Sequence, residues 1–249
     1  MASLATWLRT FGINPRRAVS SLRGIGRYRR DRKRYLAELG TDFVWGESLP
    51  ILDEWDAASG ALGAYFFQDQ LVARWIHDAQ PRRHVDVGSR LDGFIGHLAV
   101  FREVEVIDIR PQPVPVSNVT FHQLDLMEKL PPRWLAATDS LSCLHTLEHF
   151  GLGRYGDPLD PLGTVKACRE LKRVLAPGGN LYFGLPIGRP RVCFNAHRIH
   201  SPDQILEYFS GLKLLEFSLV DDAGHFRQNI EPAHGRDLKY GCGLFQFTK

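Results

Sequence analysis

The stretch His84-Val-Asp-Val-Gly-Ser-Arg-Leu-Asp-Gly93 decides the fold. A short apolar run stops at a glycine and a serine, and a helical pattern over residues 91–101 follows at once. That order describes a buried strand turning sharply into a helix. Downstream, apolar runs at 104–109, 119–126, 140–145 and 180–185 are predicted strands, with helical patterns at 162–175 and 201–209. Pro177-Gly178-Gly179 ends the first of these helices, and Ser201-Pro202-Asp203 supplies the second with an N-cap and a first-turn proline. Upstream, residues 64–79 place Tyr65, Leu71, Val72, Trp75 and Ile76 on or near one helical face, and Pro81 stops them. Alternation of this kind predicts right-handed βαβ units and a doubly wound, mostly parallel α/β sheet. Two last runs, 212–220 and 243–248, flank a polar loop without a helical pattern, which predicts a long hairpin and an antiparallel edge.

The chain has 249 residues, 44% hydrophobic and 24% charged, a globular composition with room for one large domain. The expected division is a basic, helical N-terminal extension with its connector over 1–59 and the sheet domain over 60–249. Four cysteines, at 143, 168, 193 and 242, are too few and too dispersed for a disulfide framework, and point to a reducing compartment. The net charge of +3 hides an asymmetry: residues 1–40 hold ten Lys/Arg and two acids, against 21 and 26 in the remainder. A +8 head therefore precedes a −5 body. Arg9 interrupts an apolar N-terminal stretch that falls short of the roughly 20 residues of a bilayer span, and the charges follow it rather than precede it as in a secretory signal. A cytoplasmic protein is expected, peripheral at most to the inner face of a membrane. Residues 15–39 read as an Arg-rich helix, suited either to an anionic lipid-linked carrier or membrane surface, or to lying solvated across the acidic body.

In a doubly wound sheet the first strand-to-helix turn lies at the carboxyl edge, where ligands bind. Gly88 permits the tight turn and Gly93 permits close packing of helix on strand. Arg90 stands where a dinucleotide fingerprint wants glycine, which disfavours a pyrophosphate but not a nucleoside without phosphates. Asp108 ends the second strand, 20 residues after Gly88, where a carboxylate can accept both ribose hydroxyls. Asp125 ends the third, in reach of an exocyclic adenine amine. Taken singly, an Asp at a strand end also reads as a cap or turn residue.

In order, Asp86-Val-Gly-Ser, Val-Ile-Asp108, Leu-Asp125-Leu, Leu-His-Thr-Leu-Glu-His149 and the Leu-Ala-Pro-Gly-Gly-Asn-Leu run from Leu175 resemble the motifs of class I S-adenosylmethionine-dependent methyltransferases, which have a Rossmann-like fold. More narrowly, the 143–157 segment from Cys143 to Asp157, Asn195-Ala-His-Arg-Ile-His-Ser-Pro and the terminal Tyr-Gly-Cys-Gly-Leu-Phe resemble the DUF268 family. The resemblance covers roughly residues 60–249 and leaves out the basic head. It implies S-adenosylmethionine as cofactor, cradled by Asp86, Gly88, Ser89 and Gly93, its ribose on Asp108 with Ile109, its adenine near Asp125 and Leu126, and its methionine end near His145. Arg90 either folds away or touches the donor carboxylate.

A sulfonium donor is already activated, so the enzyme mainly aligns the acceptor and takes its proton. His149 is the candidate base and Glu148 its orienting partner, the alternative being that His149 packs the following loop. Arg154, Tyr155, Asp157, Asn195, His197 and Arg198 are the acceptor-binding candidates, a polar set that suits a sugar hydroxyl on a glycan or glycoconjugate precursor; Arg154 and Asp157 equally fit a pair that holds the loop. No metal and no nucleic acid are expected, since the body is acidic and lacks an aromatic platform. The His145-Thr-Leu-Glu-His149 run also matches an inverted zinc-peptidase motif, and Cys193, His197 and His200 form a second metal-ligand pattern. A non-catalytic nucleoside-binding module recruited to an anionic partner is the remaining alternative.

Overall fold

The computed structural model describes residues 3–41, 43–55 and 62–249. The chain separates into two compact units, Met1–Ala61 and Leu62–Lys249. The boundary expected at 59/60 lies outside the described residues.

In the first unit a short helix α1 (Leu4–Thr10) precedes the long helix α2 (Pro15–Glu38). Asn14 caps α2 by accepting from the Arg17 amide, and Pro15 takes the first-turn position that needs no amide hydrogen. The predicted helix is thus present almost to the residue, whereas α1 was not foreseen. Residues 43–55 run without regular structure along α2 as a strap. Gly24 makes this approach possible, because a Cβ there would fall 1.8 Å from the Leu52 carbonyl oxygen. Arg17 reaches Asp53 at 2.6 Å, and the guanidiniums of Arg27 and Arg32 lie 4.2 and 5.0 Å from the rings of Trp55 and Trp45.

The second unit begins with α3 (Ala64–Ala79) and strand β1 (His84–Val87), followed by a wide π-type turn (Leu91–Ile95) that runs into α4 (Gly96–Ala99). The continuous helix predicted over 91–101 is broken at its start, since Gly93 sits at φ −130°, ψ −107°. Strands β2 (Val104–Asp108), β3 (Val119–Gln123) and β4 (Thr138–Leu144) come next, then α5 (Gly163–Val174) and β5 (Leu175–Ile187). A small hairpin of β6 (Arg191–Cys193) and β7 (His197–Ile199) leads to α6 (Pro202–Tyr208), capped by Ser201, and to β8 (Lys213–Val220), β9 (Phe226–Arg227) and β10 (Gly241–Thr248).

The sheet order is β3-β2-β1-β4-β5-β10-β8-β9. Strands β1 to β5 pair in parallel, while β10 runs antiparallel to both β5 and β8. The predicted antiparallel partnership of the last two long strands holds, with β10 inserted inside β8 rather than at the rim. Side chains alternate across the sheet. Phe183, Phe245 and Phe247 join α5 and α6 in one buried cluster, and Tyr182 and Leu244 join α3, Phe94, Ile95 and Leu98 in the other. No helix among the described residues is long and apolar enough to cross a membrane.

A line of polar groups is sealed inside this second layer. His84 is hydrogen-bonded through Nδ1 to Ser140 Oγ at 2.7 Å and through Nε2 to Ser142 Oγ at 3.1 Å. Ser142 Oγ donates on to Asp86 at 2.5 Å. Burial holds the imidazole neutral, its pKa down at about 3, and lifts the Asp86 carboxyl to about 6 despite its hydrogen bonds. The two shifts oppose each other in acid. Between pH 6 and 4 the unfolded chain alone protonates His84, costing up to about 1.4 kcal/mol of stability per pH unit, while folded Asp86 takes up a proton and offsets the loss. Asp86→Asn removes the offset, so its urea midpoint should fall more steeply than that of the parent protein from pH 6 to pH 4; equal slopes would refute the opposition.

Candidate active site

The turn after β1 is built from below. Asp86 is fully buried, and its carboxylate accepts from Ser89 N at 2.9 Å, Ser89 Oγ at 2.7 Å and Ser142 Oγ at 2.5 Å. The Leu144 amide donates to Ser89 Oγ at 3.1 Å, so the turn is stitched to the end of β4. Gly88 crosses at φ +69°, its amide on the Ile107 carbonyl at 2.9 Å. A Cβ on Gly88 would meet Thr146 Cγ2 at 2.3 Å. Of the two residues predicted to cradle a ligand, Asp86 holds the turn from beneath and lines neither of the cavities beside it, while Ser89 both holds the turn and lines the second of them.

Above the turn, at the carboxyl ends of the parallel strands, lies a cavity of about 360 Å³. Gly88 and Arg90 reach it from β1, Asp108 and Ile109 from β2, Asp125 and Leu126 from beyond β3, His145 and His149 from beyond β4, and Arg154, Tyr155, Asp157 and His197 from the overhanging segments. Sequence reasoning missed Tyr65 at the start of α3, Arg110, Thr146, Phe150 and the apolar walls Val87, Ile107, Leu124 and Met127. Val87, Ile107 and Leu124 were legible only as strand residues. A second recess of about 230 Å³ between α3 and the turn is lined by Gln68, Asp69, Ser89, Arg90 and Gly93. Gln68 Oε1 is buried there without a partner among the described residues. Burial raises the pKa of Asp69, though Gln68 Nε2 donates to it at 3.1 Å.

Most of the polar walls already have a partner. Asp108 accepts from the Arg110 amide at 2.8 Å and from its Nε and Nη2 at 3.0 and 2.6 Å. Asp125 accepts from the Met127 amide at 2.8 Å. Arg90 pairs with Asp92 at 2.7 Å. The guanidiniums of Arg110 and Arg154 lie 4.8 and 4.7 Å from the Tyr155 ring.

Beyond β4 the backbone enters the left-handed region at His145, φ +50°. Its Nδ1 meets Glu148 Oε1 at 3.1 Å and its Nε2 meets Cys242 Sγ at 3.3 Å, under the Tyr65 ring at 4.7 Å. Burial disfavours the imidazolium, but Cys242 and Glu148 outweigh it and hold the His145 pKa above the usual range. Glu148, buried in the turn Leu147–His149, keeps its charge against burial because His145 and His149 flank it. His149 Nδ1 donates to the Ala196 carbonyl at 2.7 Å, which leaves Nε2 as the basic nitrogen, 3.7 Å from Glu148 Oε1. Burial sets the His149 pKa below the usual value, and Glu148 offsets only part of the shift.

Two acceptor-binding candidates are engaged by the backbone and a third lies outside the cavity. Arg198 donates to the Phe150 and Asp160 carbonyls and does not line the cavity. Asn195 is exposed outside it. Asp157 lines it, yet accepts from the amides of Gly151, Gly153 and Tyr155 at 2.8, 3.1 and 3.0 Å, so it shapes the loop from within rather than pairing with Arg154. The zinc-motif histidines are divided between Cys242 and the Ala196 carbonyl, on a strand end and a tight turn instead of one helix face. Cys193 and His197 face each other across the hairpin, and strand alternation turns buried His200 to the other side.

Residues 119–229 match the family described as "Caenorhabditis protein of unknown function, DUF268". No curated protein matches the sequence. Among solved structures, the N-methyltransferase NodS from Bradyrhizobium japonicum WM9, in complex with S-adenosyl-L-homocysteine, superposes with a TM-score of 0.52 at 16% identity, over 74% of this chain and 86% of that one. The Burkholderia thailandensis 1,6-didemethyltoxoflavin-N1-methyltransferase, with bound 1,6-didemethyltoxoflavin and S-adenosylhomocysteine, gives 0.50 at 13% identity over 73% of this chain and 79% of that one. The Bacillus YcgJ protein gives 0.50 at 15% identity over 74% and 98%. At such identities the likeness is one of fold, and the chain has the methyltransferase-type Rossmann-like architecture.

Gly88→Ala forces a side chain into both a left-handed turn and the Thr146 methyl, at an expected cost of about 2 kcal/mol or more. In the background of Thr146→Ser, which deletes that methyl, the same change should cost measurably less by urea unfolding; strict additivity would show that the contact is not what excludes a side chain.

Proposed function

We propose that the second unit is an S-adenosylmethionine-dependent methyltransferase acting on a hydroxyl of a sugar-bearing acceptor, with His149 as base. One observation carries the reading: a single cavity at the carboxyl edge of the sheet joins two strand-end carboxylates and an apolar slot to a histidine of fixed tautomer. The similarity of fold to methyltransferases and the DUF268 match support it.

The residues present fit the donor. Asp108 retains lone pairs beyond those engaged by Arg110 and offers them to a ribose diol. Asp125 and the apolar walls Ile107, Leu124, Leu126 and Met127 suit an adenine ring and its amine. The orphaned Gln68 Oε1 and the Asp69 carboxylate offer acceptors to the donor's α-ammonium, with Arg90 beside the same recess for its carboxylate. Bound there, the donor supplies an electrophilic methyl group on a sulfonium.

The chain's own residues do the rest. The Ala196 carbonyl holds His149 as the Nδ1–H tautomer, so Nε2 accepts the proton that the acceptor hydroxyl gives up. Glu148, 3.7 Å from that nitrogen, stabilises the imidazolium as it forms. His145 keeps Glu148 ionised and in place. At the mouth, Arg154, Tyr155 and His197 present donors and a ring face to a hydroxylated acceptor, the chemistry that favours a sugar.

Asp108→Ala should weaken donor binding by about tenfold or more in calorimetry. His149→Ala should leave that affinity within about twofold and lower kcat by about a hundredfold or more. The reverse pattern would exchange their roles, and donor binding without methyl transfer to any sugar acceptor would leave a nucleoside-binding module. Glu148 raises the His149 pKa, so Glu148→Gln should move the acid limb of the kcat profile to lower pH while reducing its plateau; an unmoved limb would remove Glu148 from the base's environment.

A further inference from the structure

The first unit carries a surface to which the proposed reaction assigns no role. On α1 and its C-cap, Leu4, Trp7, Leu8 and Phe11 recur at three- and four-residue spacing and so share one side. Leu4, Trp7 and Phe11 are 76%, 54% and 73% exposed, and Trp7 and Phe11 stack at 6.2 Å into an apolar edge. Exposed Ile13 extends it towards α2. This is an unusual amount of aromatic and aliphatic surface to leave in water on a seven-residue helix.

Helix α2 has two unlike sides. One holds the strap, through Gly24 against Leu52 and Arg17 on Asp53. At 3.6 residues per turn, Arg16, Arg23, Arg30 and Arg34 fall close to one line along the flank of the helix, about a quarter to a third of a turn from the strap contacts at Gly24 and Arg17, with Lys33 and exposed Val19 and Leu22 beyond them. Its two acids, Asp31 and Glu38, lie towards the strap side of that line and engage Arg27, Arg30 and Arg34. Among the described residues, Arg9, Arg16, Arg23, Arg29 and Lys33 have no ion-pair partner.

We propose that residues 3–34 are a docking element for an anionic bilayer surface. The apolar side of α1 lies at the boundary between headgroups and acyl chains, and the basic side of α2 lies over the anionic headgroups. Each half has a weakness alone: a short apolar edge buries little area, and a basic stripe is screened by salt. Carried on consecutive helices joined by the short connection 11–14, they reinforce each other. The apolar edge is what selects a bilayer over a nucleic acid, which would take stacking rings set among the basic residues. The inference is independent of the chemistry assigned to the cavity.

Sedimentation of the full chain with vesicles tests it. Vesicles of phosphatidylcholine mixed equally with phosphatidylglycerol should bind at least about tenfold more tightly than phosphatidylcholine alone, with the excess lost in high salt. Trp7→Ser with Phe11→Ser, and separately Arg16→Glu with Arg23→Glu and Arg30→Glu, should each weaken binding at least about fivefold without moving the thermal midpoint, since every altered side chain is exposed. Equal binding to both vesicle types, indifference to both variants, or tighter binding to an RNA oligonucleotide than to the anionic vesicles would overturn the proposal.

Discussion

A carboxylate shut off from water, Asp86, sets the geometry on which the candidate site depends. Its two oxygens gather the Ser89 amide, the Ser89 hydroxyl and the Ser142 hydroxyl, and Ser142 in turn is fixed by His84. Burying such a group is unfavourable unless every lone pair finds a donor. Three donors come from β4 and from the turn between β1 and α4, and with Asp86 itself on β1 three pieces of chain are tied together. Gly88 then crosses over Thr146 in the left-handed region, and the cavity opens directly above. Were the turn to relax, the floor of the cavity and the strand end that carries His145 would move together.

The same economy governs the walls. Almost every polar group at the cavity is first a structural partner: Arg110 on Asp108, the Met127 amide on Asp125, the loop amides on Asp157, the Ala196 carbonyl on His149. What remains for a ligand is the second lone pair or the second nitrogen. That distribution preorganises the site, because a group whose rotamer is already fixed loses less entropy on binding. It also separates three neighbouring titratable residues by environment. His145 sits between the Glu148 carboxylate and the Cys242 sulfur, Glu148 is charged but buried, and His149 is held neutral with one nitrogen spoken for.

The order of elements was legible because hydrophobic periodicity and turn residues act locally: the α3 face, the Ser201 cap and the strands leading to Asp108 and Asp125 are all present. The interruption at Gly93 was not, since no local signal marks this glycine as leaving the helical region; that a Cβ there would come within 3.1 Å of Asp69 Oδ2 on α3 shows only in space. Nor was the place of β10, as a loop of any length between 220 and 241 lets the strand enter between β5 and β8. Within the site, spacing brought Gly88, Asp108, Asp125, His145 and His149 to one cavity, but spacing does not say which atoms are already bonded. Arg198 and Asp157 look like ligand contacts in sequence and become loop clamps in space. Arg110 and Tyr65 went unseen because nothing in a single arginine or helical tyrosine marks it as facing a cavity.

The central claim is that the cavity above Gly88 is a nucleoside site whose ribose is read by Asp108 beside a neutral His149. A crystal structure of the full chain with S-adenosylhomocysteine tests it most directly. The account predicts the ribose hydroxyls within hydrogen-bonding distance of Asp108, the adenine between Ile107 and Leu126, and the amino-acid end beside Gln68 and Asp69, with His149 Nδ1 still on the Ala196 carbonyl. A nucleoside bound elsewhere, or a ribose that makes no contact with Asp108, would contradict it.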